Sequence, residues 1–189
     1  MGKISIISTH LNGLFVLKPE VFGDHRGFFM ESYRADQFAE LGLPTDFPQD
    51  NHSRSKRGVL RGLHFQWDKP QAKLMRVTYG SAFVVAVDIR KGSPTLGQWH
   101  GTIISDENKV QVYAPAGFAR GFCAISDYVE VQYKCTSLWN PNTESGILWN
   151  DPEIGIEWPI NETILSEKDS KAQTLSKWLN TKESDNFKF

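Results

Sequence analysis

Four side chains that could carry chemistry lie in one stretch of the sequence, from Asn51 to Gly80. They are Arg54, Arg61, His64 and Lys73. Apolar residues between Val59 and Phe65 flank Arg61 and His64, so we expect these two on, or at the mouth of, a buried sheet. Polar groups taken out of water need partners or a function. This stretch is therefore the first place to look for a site.

Histidine is a useful general base near neutral pH, because the unperturbed pKa of an imidazole is roughly 6.5. His64 is the candidate in this stretch. It needs a carboxylate to fix its tautomer, and spacing alone does not select one among the 22 acidic residues. Lys73 could hold a developing oxyanion, and Tyr133 in the segment VEVQYKCT could donate a proton. These groups suit proton abstraction next to a carbonyl. By itself, however, a lone histidine in a strand is more often structural than catalytic.

A metal site is the rival interpretation of His64. The sequence has five histidines, and they form no HxH or HxxxH pair, which disfavours a site built from isolated histidines. Neither a GxxxxGK[ST] nor a GxGxxG phosphate-binding loop is present. The GxSxG motif of one class of serine hydrolases is absent too.

Composition limits the classes of protein further. A formal net charge of −1 argues against a general nucleic-acid binder. No apolar run approaches the roughly 20 residues of a membrane helix, and Met1 to His10 lacks a signal-peptide pattern. Cys123 and Cys135 lie in apolar segments without a CxxC pair, as expected for reduced core residues of a cytoplasmic protein. A length of 189 residues predicts one domain spanning 1–189.

Short strands separated by turns predict a mainly β fold, a sandwich or jelly roll with a few short peripheral helices. A helix is expected at Ala35–Leu41, ending at Gly42, and another after the capping residue Ser166. The polar tail from Thr181 to Phe189 is expected to fray. Strands are predicted at Ile4–Ile7, Leu14–Pro19, Phe28–Tyr33, Leu74–Thr78, Ala82–Ile89, Trp99–Ser105, Val110–Ala114, Phe122–Ile125, Val129–Thr136 and Ile147–Trp149.

Several longer motifs make a family resemblance visible. They are GDHRGFFMESY (23–33), QDNHSRSKRGVLRGLHFQ (49–66), VAVDIRKGSPTLGQW (85–99), PAGFARGF (115–122), VQYKCT (131–136), ILWNDPEIGIEWP (147–159) and LSEKD (165–169). With these motifs the chain resembles the dTDP-4-dehydrorhamnose 3,5-epimerase family, from Gly13 to about Asp169.

The resemblance implies a cupin-like jelly roll without a metal or other cofactor, paired as a homodimer. It implies conversion of dTDP-4-dehydro-6-deoxy-D-glucose to dTDP-4-dehydro-L-rhamnose by proton abstraction and return at C3 and C5. The family's base is the histidine of GLHFQ, here His64, and its carboxylate partner is the aspartate of SEKD, here Asp169. Lys73 is similar in position to the lysine that faces the keto oxygen, and Tyr133 matches the proton donor.

The same resemblance implies a set of substrate-binding residues. The nucleotide and its diphosphate are expected along Gln49, Asn51, Arg61 and Lys168. Three further residues match those that reach across from the partner subunit. They are Arg26, Phe29 and Glu31.

Two positions depart from the family pattern. Arg120 stands where the common GFAHGF has a histidine facing the site, and Trp139 replaces a second tyrosine. An arginine fork suits a phosphate or keto oxygen, whereas tryptophan keeps a stacking face without a hydroxyl. Both changes are compatible with neutral drift. They also leave open an epimerase acting at C3 or C5 alone, on a dTDP-, CDP- or GDP-linked 4-keto deoxy sugar. A non-catalytic sugar-nucleotide-binding jelly roll is the more distant alternative.

Overall fold

Short strands and a few short helices build the molecule. The computed structural model describes residues 2–189, apart from the side chain of Ser8. The strands are β1 (Ile4–Ser8), β2 (Phe15–Pro19), β3 (Val21–Asp24), β4 (Gly27–Met30), β5 (Gln49–Lys56), β6 (Leu60–Gln66), β7 (Lys73–Tyr79), β8 (Ser81–Asp88), β9 (Trp99–Ser105), β10 (Gln111–Ala114), β11 (Phe118–Ala124), β12 (Tyr128–Cys135) and β13 (Glu144–Gly146). The helices are α1 (Ala35–Glu40), α2 (Glu167–Ser170) and α3 (Leu175–Leu179), with a 3₁₀ helix at Glu183–Asn186.

Two antiparallel sheets face each other as a sandwich, which confirms the predicted fold class. The larger sheet has the strand order β1-β2-β10-β7-β12-β5, and the smaller sheet has the order β13-β6-β11-β8-β9. Strands β3 and β4 form a separate hairpin. Non-consecutive neighbours within each sheet mean that residues far apart in sequence share one interior.

The interior between the sheets is apolar because strand residues alternate between the two faces of each sheet. Met75 and Val131 from the larger sheet pack in one cluster with Val84, Phe118 and Phe122 from the smaller sheet. This packed cluster fixes the distance between the two walls. Polar side chains further along the same inward faces are thereby brought opposite each other.

The outer face of the smaller sheet is covered by the C-terminal segment. Leu63 and Phe65 of β6 pack in one cluster with Leu175, Trp178 and Phe187. Burial of such side chains stabilises by roughly 1.5–3 kcal/mol each. The segment that carries α2 is therefore held against β6.

The predicted fraying of the tail is wrong. Phe187, in the stretch from Thr181 to Phe189, is only 4% exposed and its ring packs against Phe65 and Trp178. The backbone N–H of Lys91 also donates to the carbonyl of Phe187 at 2.7 Å. The polar composition of the tail predicted a solvated end, whereas the single aromatic side chain of Phe187 holds it against the sheet.

Other predictions differ from the structure at element boundaries. The expected strand at Phe28–Tyr33 ends at Met30, because Tyr33 turns away to pack on Phe38 and Phe47. The expected strand at Ile147–Trp149 is wrong: β13 lies three residues earlier. Ile147 follows it with an isolated bridge to Gln173 and backbone hydrogen bonds to Leu63. β11 begins at Phe118 rather than at Phe122, and β5 was not predicted.

Candidate active site

One end of the sandwich interior opens into a cavity of about 210 Å³ lined mainly by polar side chains. Strands of both sheets contribute to its walls. The lining residues are Ser53, Arg61, His64, Lys73, Met75, Arg120, Gly121, Phe122, Tyr133 and Glu144. The cavity therefore brings together His64, Lys73 and Tyr133, three of the predicted catalytic residues.

His64 and Asp169 form a hydrogen-bonded pair at one wall. The Nε2 atom of His64, on β6, lies 2.6 Å from Oδ1 of Asp169 in α2. Asp169 is only 4% exposed, and its backbone N–H donates to the side chain of the N-cap residue Ser166. Burial by itself opposes ionisation, but the hydrogen bond with His64 leaves the pKa of Asp169 below its ordinary value.

The ionised carboxylate settles which nitrogen of His64 is protonated. A carboxylate only accepts hydrogen bonds, so Nε2 of His64 must donate to Asp169. Nδ1 is then the nitrogen with a free lone pair. A neutral imidazole held this way can act as a general base, because a carboxylate in the position of Asp169 would stabilise the imidazolium form.

Lys73 begins β7 on the opposite wall of the cavity. Its Nζ lies 5.0 Å from the ring centroid of Tyr133. Burial, together with the positive charge of Arg120, lowers the pKa of Lys73 to about 8. Within residues 2–189, no carboxylate lies within 4.0 Å of this ammonium group. The charge is thus available to a ligand.

Tyr133 lies on β12, on the same wall as Lys73. Its Cα pairs with Met75 of β7 on one side and with Asn51 of β5 on the other. Burial and the nearby Cys135 thiol raise the pKa of Tyr133 above its ordinary value. The hydroxyl is therefore protonated at neutral pH and able to donate.

Arg120 lies deep in the cavity on β11, where it is the cross-strand partner of His64. It is 4% exposed, and its Nη1 donates to the backbone carbonyl of Gln71 at 2.6 Å. The buried Nε has no hydrogen-bond partner among the described residues. Burial lowers the pKa of Arg120 to about 10, which still leaves it charged at neutral pH.

Gly121 allows β11 and β6 to approach closely enough to place Arg120 beside His64. A Cβ atom at Gly121 would lie 2.6 Å from the carbonyl oxygen of Arg61. The pairing of the two strands shifts register between Arg120 and Phe122, as in a β-bulge. The close approach depends on the missing side chain.

A polar rim on β5 and the following segments borders the cavity. The Gln49 side chain accepts from the backbone N–H of Trp139 at 2.6 Å and donates to Asn51 at 3.1 Å. Arg61 is exposed, and its Nε donates to Ser55 at 3.0 Å. Trp139 leaves a largely exposed indole beside Gln49. The rim thus offers amides, a cation and an aromatic face.

Glu144 is a lining residue that the sequence did not indicate. It accepts a hydrogen bond from the exposed Lys168. Burial alone would raise the pKa of Glu144, but the contact with Lys168 outweighs burial and lowers this pKa. Nothing in the spacing of the segment ESG singles out this glutamate. Ser53 was also missed. It lies two residues after Asn51 and therefore on the same face of β5, so a predicted strand at β5 would have indicated it.

The three residues expected to reach a partner subunit do not line this cavity. Arg26 lies at the turn of the β3–β4 hairpin and pairs with Asp24 at 2.5 Å. Phe29 is 65% exposed. Glu31 pairs with Arg34 at 3.4 Å, and its Oε2 is buried without a partner among the described residues.

Among residues 2–189, no group of three or more histidine, cysteine or acidic side chains is arranged to hold a metal ion. Within the same range, no helix has the length and apolar character needed to cross a membrane.

Comparison with known proteins gives consistent matches over most of the chain. A family model described as dTDP-4-dehydrorhamnose 3,5-epimerase matches residues 8–177. The dTDP-4-dehydrorhamnose 3,5-epimerase of Methanothermobacter thermautotrophicus is 52% identical over 178 residues, which cover 93% of this chain and 96% of that relative. The Pseudomonas aeruginosa enzyme of the same name is 53% identical over 165 residues, covering 86% and 91%.

A solved structure is similar over the same region. It is the dTDP-6-deoxy-D-glucose-3,5-epimerase of Legionella pneumophila in complex with dTDP-4-keto-L-rhamnose. The two structures superpose with a TM-score of 0.92, at 46% sequence identity, and the match covers 96% of each chain. The similarity therefore spans both walls of the cavity.

Proposed function

Because the chain belongs to the dTDP-4-dehydrorhamnose 3,5-epimerase family, we propose that it inverts C3 and C5 of dTDP-4-dehydro-6-deoxy-D-glucose to give dTDP-4-dehydro-L-rhamnose. One observation carries the proposal. The His64–Asp169 pair stands on one wall of a cavity whose other wall holds Lys73 and Tyr133. The reaction needs no cofactor, because the sugar is neither oxidised nor reduced overall.

His64 is the proposed base. The C4 ketone acidifies the hydrogens on C3 and C5, and the free nitrogen of His64 removes one of them. The imidazolium that forms is stabilised by the buried Asp169 at 2.6 Å. A positioned base of this kind contributes roughly 10²–10⁴ to the rate.

Lys73 is the proposed partner of the enolate. Removal of the proton places negative charge on the C4 oxygen, and an ammonium group without a counter-ion is well suited to hold it. This interaction is stronger in the transition state than with the neutral ketone. It therefore accelerates the step rather than merely tightening binding.

Tyr133 is the proposed proton donor. It stands on the larger sheet and His64 stands on the smaller sheet, so the two groups approach the sugar from opposite sides. Removal on one face and return on the other inverts the carbon. The raised pKa of Tyr133 keeps its hydroxyl protonated until the enolate forms.

The nucleotide end is proposed to lie along the rim. The exposed cations Arg61 and Lys168 suit the diphosphate, and Gln49 and Asn51 present amides beside them. The exposed indole of Trp139 offers a stacking face for the base. Arg120 is proposed to contact the sugar, because it lies buried beside His64 rather than at the rim.

A second copy of the chain is proposed to complete the site. The β3–β4 hairpin exposes a set of apolar side chains that a partner would cover. They are Val21, Phe22, Phe28 and Phe29. Arg26, Phe29 and Glu31 on and after this hairpin would then reach the partner's substrate. The buried free thiols Cys123 and Cys135 suit the reducing cytoplasm, where we place the protein.

Product configuration tests this function. The protein is incubated with dTDP-4-keto-6-deoxyglucose, and the configurations at C3 and C5 are read from proton NMR coupling constants. Inversion at both carbons supports the proposal. Inversion at one carbon would instead indicate a single-carbon epimerase. The CDP- and GDP-linked forms of the same sugar are tested in parallel. If only one of these is converted, the proposed dTDP carrier is wrong.

A further inference from the structure

A buried cation, Arg120, and a half-buried one, Lys73, form an unusual pair in one cavity. Arg120 is 4% exposed, Lys73 stands across the same cavity, and each contributes to the electrostatic field at the site. Within residues 2–189, neither has a carboxylate within 4.0 Å. Buried charge without a counter-ion costs free energy unless something compensates it. A negative charge that develops between them would supply that compensation.

We propose that Arg120 is a second catalytic donor to the C4 oxygen, so that the enolate charge is shared between Arg120 and Lys73. The inference rests on the proposed function. Its geometric basis is the guanidinium group itself: Nη1 is fixed on the carbonyl of Gln71 at 2.6 Å, while Nε is unpaired. A guanidinium has five N–H donors, so four remain for a ligand.

The position of Arg120 favours the keto group over the diphosphate. Arg61 is exposed at the rim, where a diphosphate can retain part of its hydration. Arg120 is buried and is the direct cross-strand partner of His64, the proposed base. Directly paired residues on neighbouring antiparallel strands have Cβ atoms roughly 4.5–5.5 Å apart. In the sugar, the carbon that loses its proton is bonded to C4, whose oxygen gains the charge. Arg120 beside His64 is therefore close to where that oxygen must lie.

A purely structural role for Arg120 is the competing explanation. The bond to Gln71 joins β11 to the segment that leads into β7 and Lys73. Loss of that bond alone could displace Lys73 and reduce activity. The test therefore needs a measurement that follows the positive charge at position 120 rather than the bond to Gln71.

The pH dependence of catalysis provides that measurement. The positive charge of Arg120 helps to lower the pKa of Lys73 to about 8, second only to burial. Since Lys73 acts in its protonated form, the wild-type rate is expected to fall as pH rises through about 8. The titratable and charged groups that share the cavity with Lys73 or act on its charge are Arg61, His64, Arg120, Tyr133, Cys135, Glu144 and Lys168. Only Arg120 among them is changed in the test.

The decisive variant is Arg120→Met, which keeps an unbranched side chain and removes the charge. We expect kcat for deuterium exchange to fall about 10²-fold with KM little changed, as for loss of one oxyanion donor. The falling limb of the pH profile should also move to higher pH. Arg120→Lys, which keeps a cation, should retain both the position of the limb and most of kcat.

Arg76→Met is the matched control. Arg76 lies on β7 and donates to Gln132 at 2.7 Å outside the cavity, so its loss should change neither kcat nor the pH limb. A limb that stays at the wild-type pH in Arg120→Met, or a loss confined to KM, would overturn the proposal. If Arg120→Met fails to fold, an Arg120→Lys variant with a wild-type limb supports the proposal, and a displaced limb contradicts it.

Measurements on the wild-type protein distinguish failure of the proposed function from failure of the role proposed for Arg120. Exchange by the wild type together with inversion at C3 and C5 establishes the proposed function before any variant is interpreted. Absence of exchange in the wild type would count against that function, and the role of Arg120 in this reaction would fall with it. Exchange by the wild type with an unaltered Arg120→Met would overturn only the role of Arg120.

Discussion

His64 and Asp169 are 105 residues apart in the chain, yet Nε2 of one lies 2.6 Å from a carboxylate oxygen of the other. The contact exists because the C-terminal segment crosses the outer face of the smaller sheet and is held there by Leu175, Trp178 and Phe187. Ser166 then caps the short helix that presents the carboxylate. A packing arrangement outside the sandwich thus completes a pair at its open end.

Replacing Asp169 by asparagine tests the pair. Asparagine keeps the shape of the side chain, but it is a weaker hydrogen-bond acceptor and has no charge to stabilise an imidazolium. We therefore expect the exchange rate of Asp169→Asn to fall by roughly 10²–10⁴. The rate is measured by deuterium incorporation into the substrate. Asp127→Asn, at an exposed aspartate, is the control and should behave as wild type. A loss of less than tenfold would remove Asp169 from the mechanism.

Lys73 should reduce stability while supporting catalysis. Its pKa is about 8 in the folded protein and 10.5 unfolded, so the unfolded state binds more protons between these values. Wild-type stability should therefore rise as pH increases from about 8 to about 10.5. At pH 7 we expect the free energy of unfolding of Lys73→Met to be roughly 1–3 kcal/mol higher than that of the wild type. The same variant should lose activity.

Urea unfolding at pH 7 and pH 10 measures this difference. The advantage of Lys73→Met should shrink at the higher pH, because the wild-type lysine is then largely neutral in the folded protein. Lys177→Met, at an exposed lysine on α3, should change stability by less than about 0.5 kcal/mol at either pH. An equal or lower stability of Lys73→Met at pH 7 would contradict this prediction.

Tyr133→Phe should separate exchange from inversion. His64, the proposed base, is unchanged in this variant, whereas the proposed donor on the opposite wall is removed. We expect deuterium to enter while net epimerisation falls by roughly 10²–10⁴. Both are read from the same NMR time course. Tyr79→Phe, at an exposed tyrosine, serves as the control, and an undiminished yield of epimer from Tyr133→Phe would assign the donor role elsewhere.

The fold was largely predictable because turn residues divide the apolar strands at regular intervals. The structure departs from the prediction where local composition misleads. Every second residue of β5, QDNHSRSK, faces inward, but its inner side chains are amides and serines rather than apolar groups. In the tail, a single phenylalanine among polar residues supplies the anchor. Both cases depend on long-range packing that the local pattern does not contain.

The candidate site was only partly accessible from residue types. His64, Lys73 and Tyr133 have suitable chemistry, but spacing did not select Asp169, which came only from the family resemblance. Glu144 and the Gln71 carbonyl became visible only in the structure. A backbone carbonyl has no sequence signal at all, because every residue carries one.

The tail provides a direct test of the corrected packing. Phe187 is 4% exposed against Phe65 and Trp178, so we expect Phe187→Ala to lower the free energy of unfolding by roughly 3–5 kcal/mol. Phe189→Ala is the matched control. Phe189 is 58% exposed and lies over Arg90, and its loss should cost about 1 kcal/mol or less. Equal effects of the two substitutions would mean that the tail is not anchored by Phe187.

The most direct test of the central claim is deuterium exchange into dTDP-4-keto-6-deoxyglucose, followed by proton NMR in D₂O, for wild type and His64→Asn. We predict that the wild type exchanges both C3 and C5, and that His64→Asn exchanges neither above the rate without protein. His52→Asn, at an exposed histidine paired with Glu130, should exchange as the wild type does. Continued exchange by His64→Asn at either carbon would contradict the assignment of His64 as the shared base.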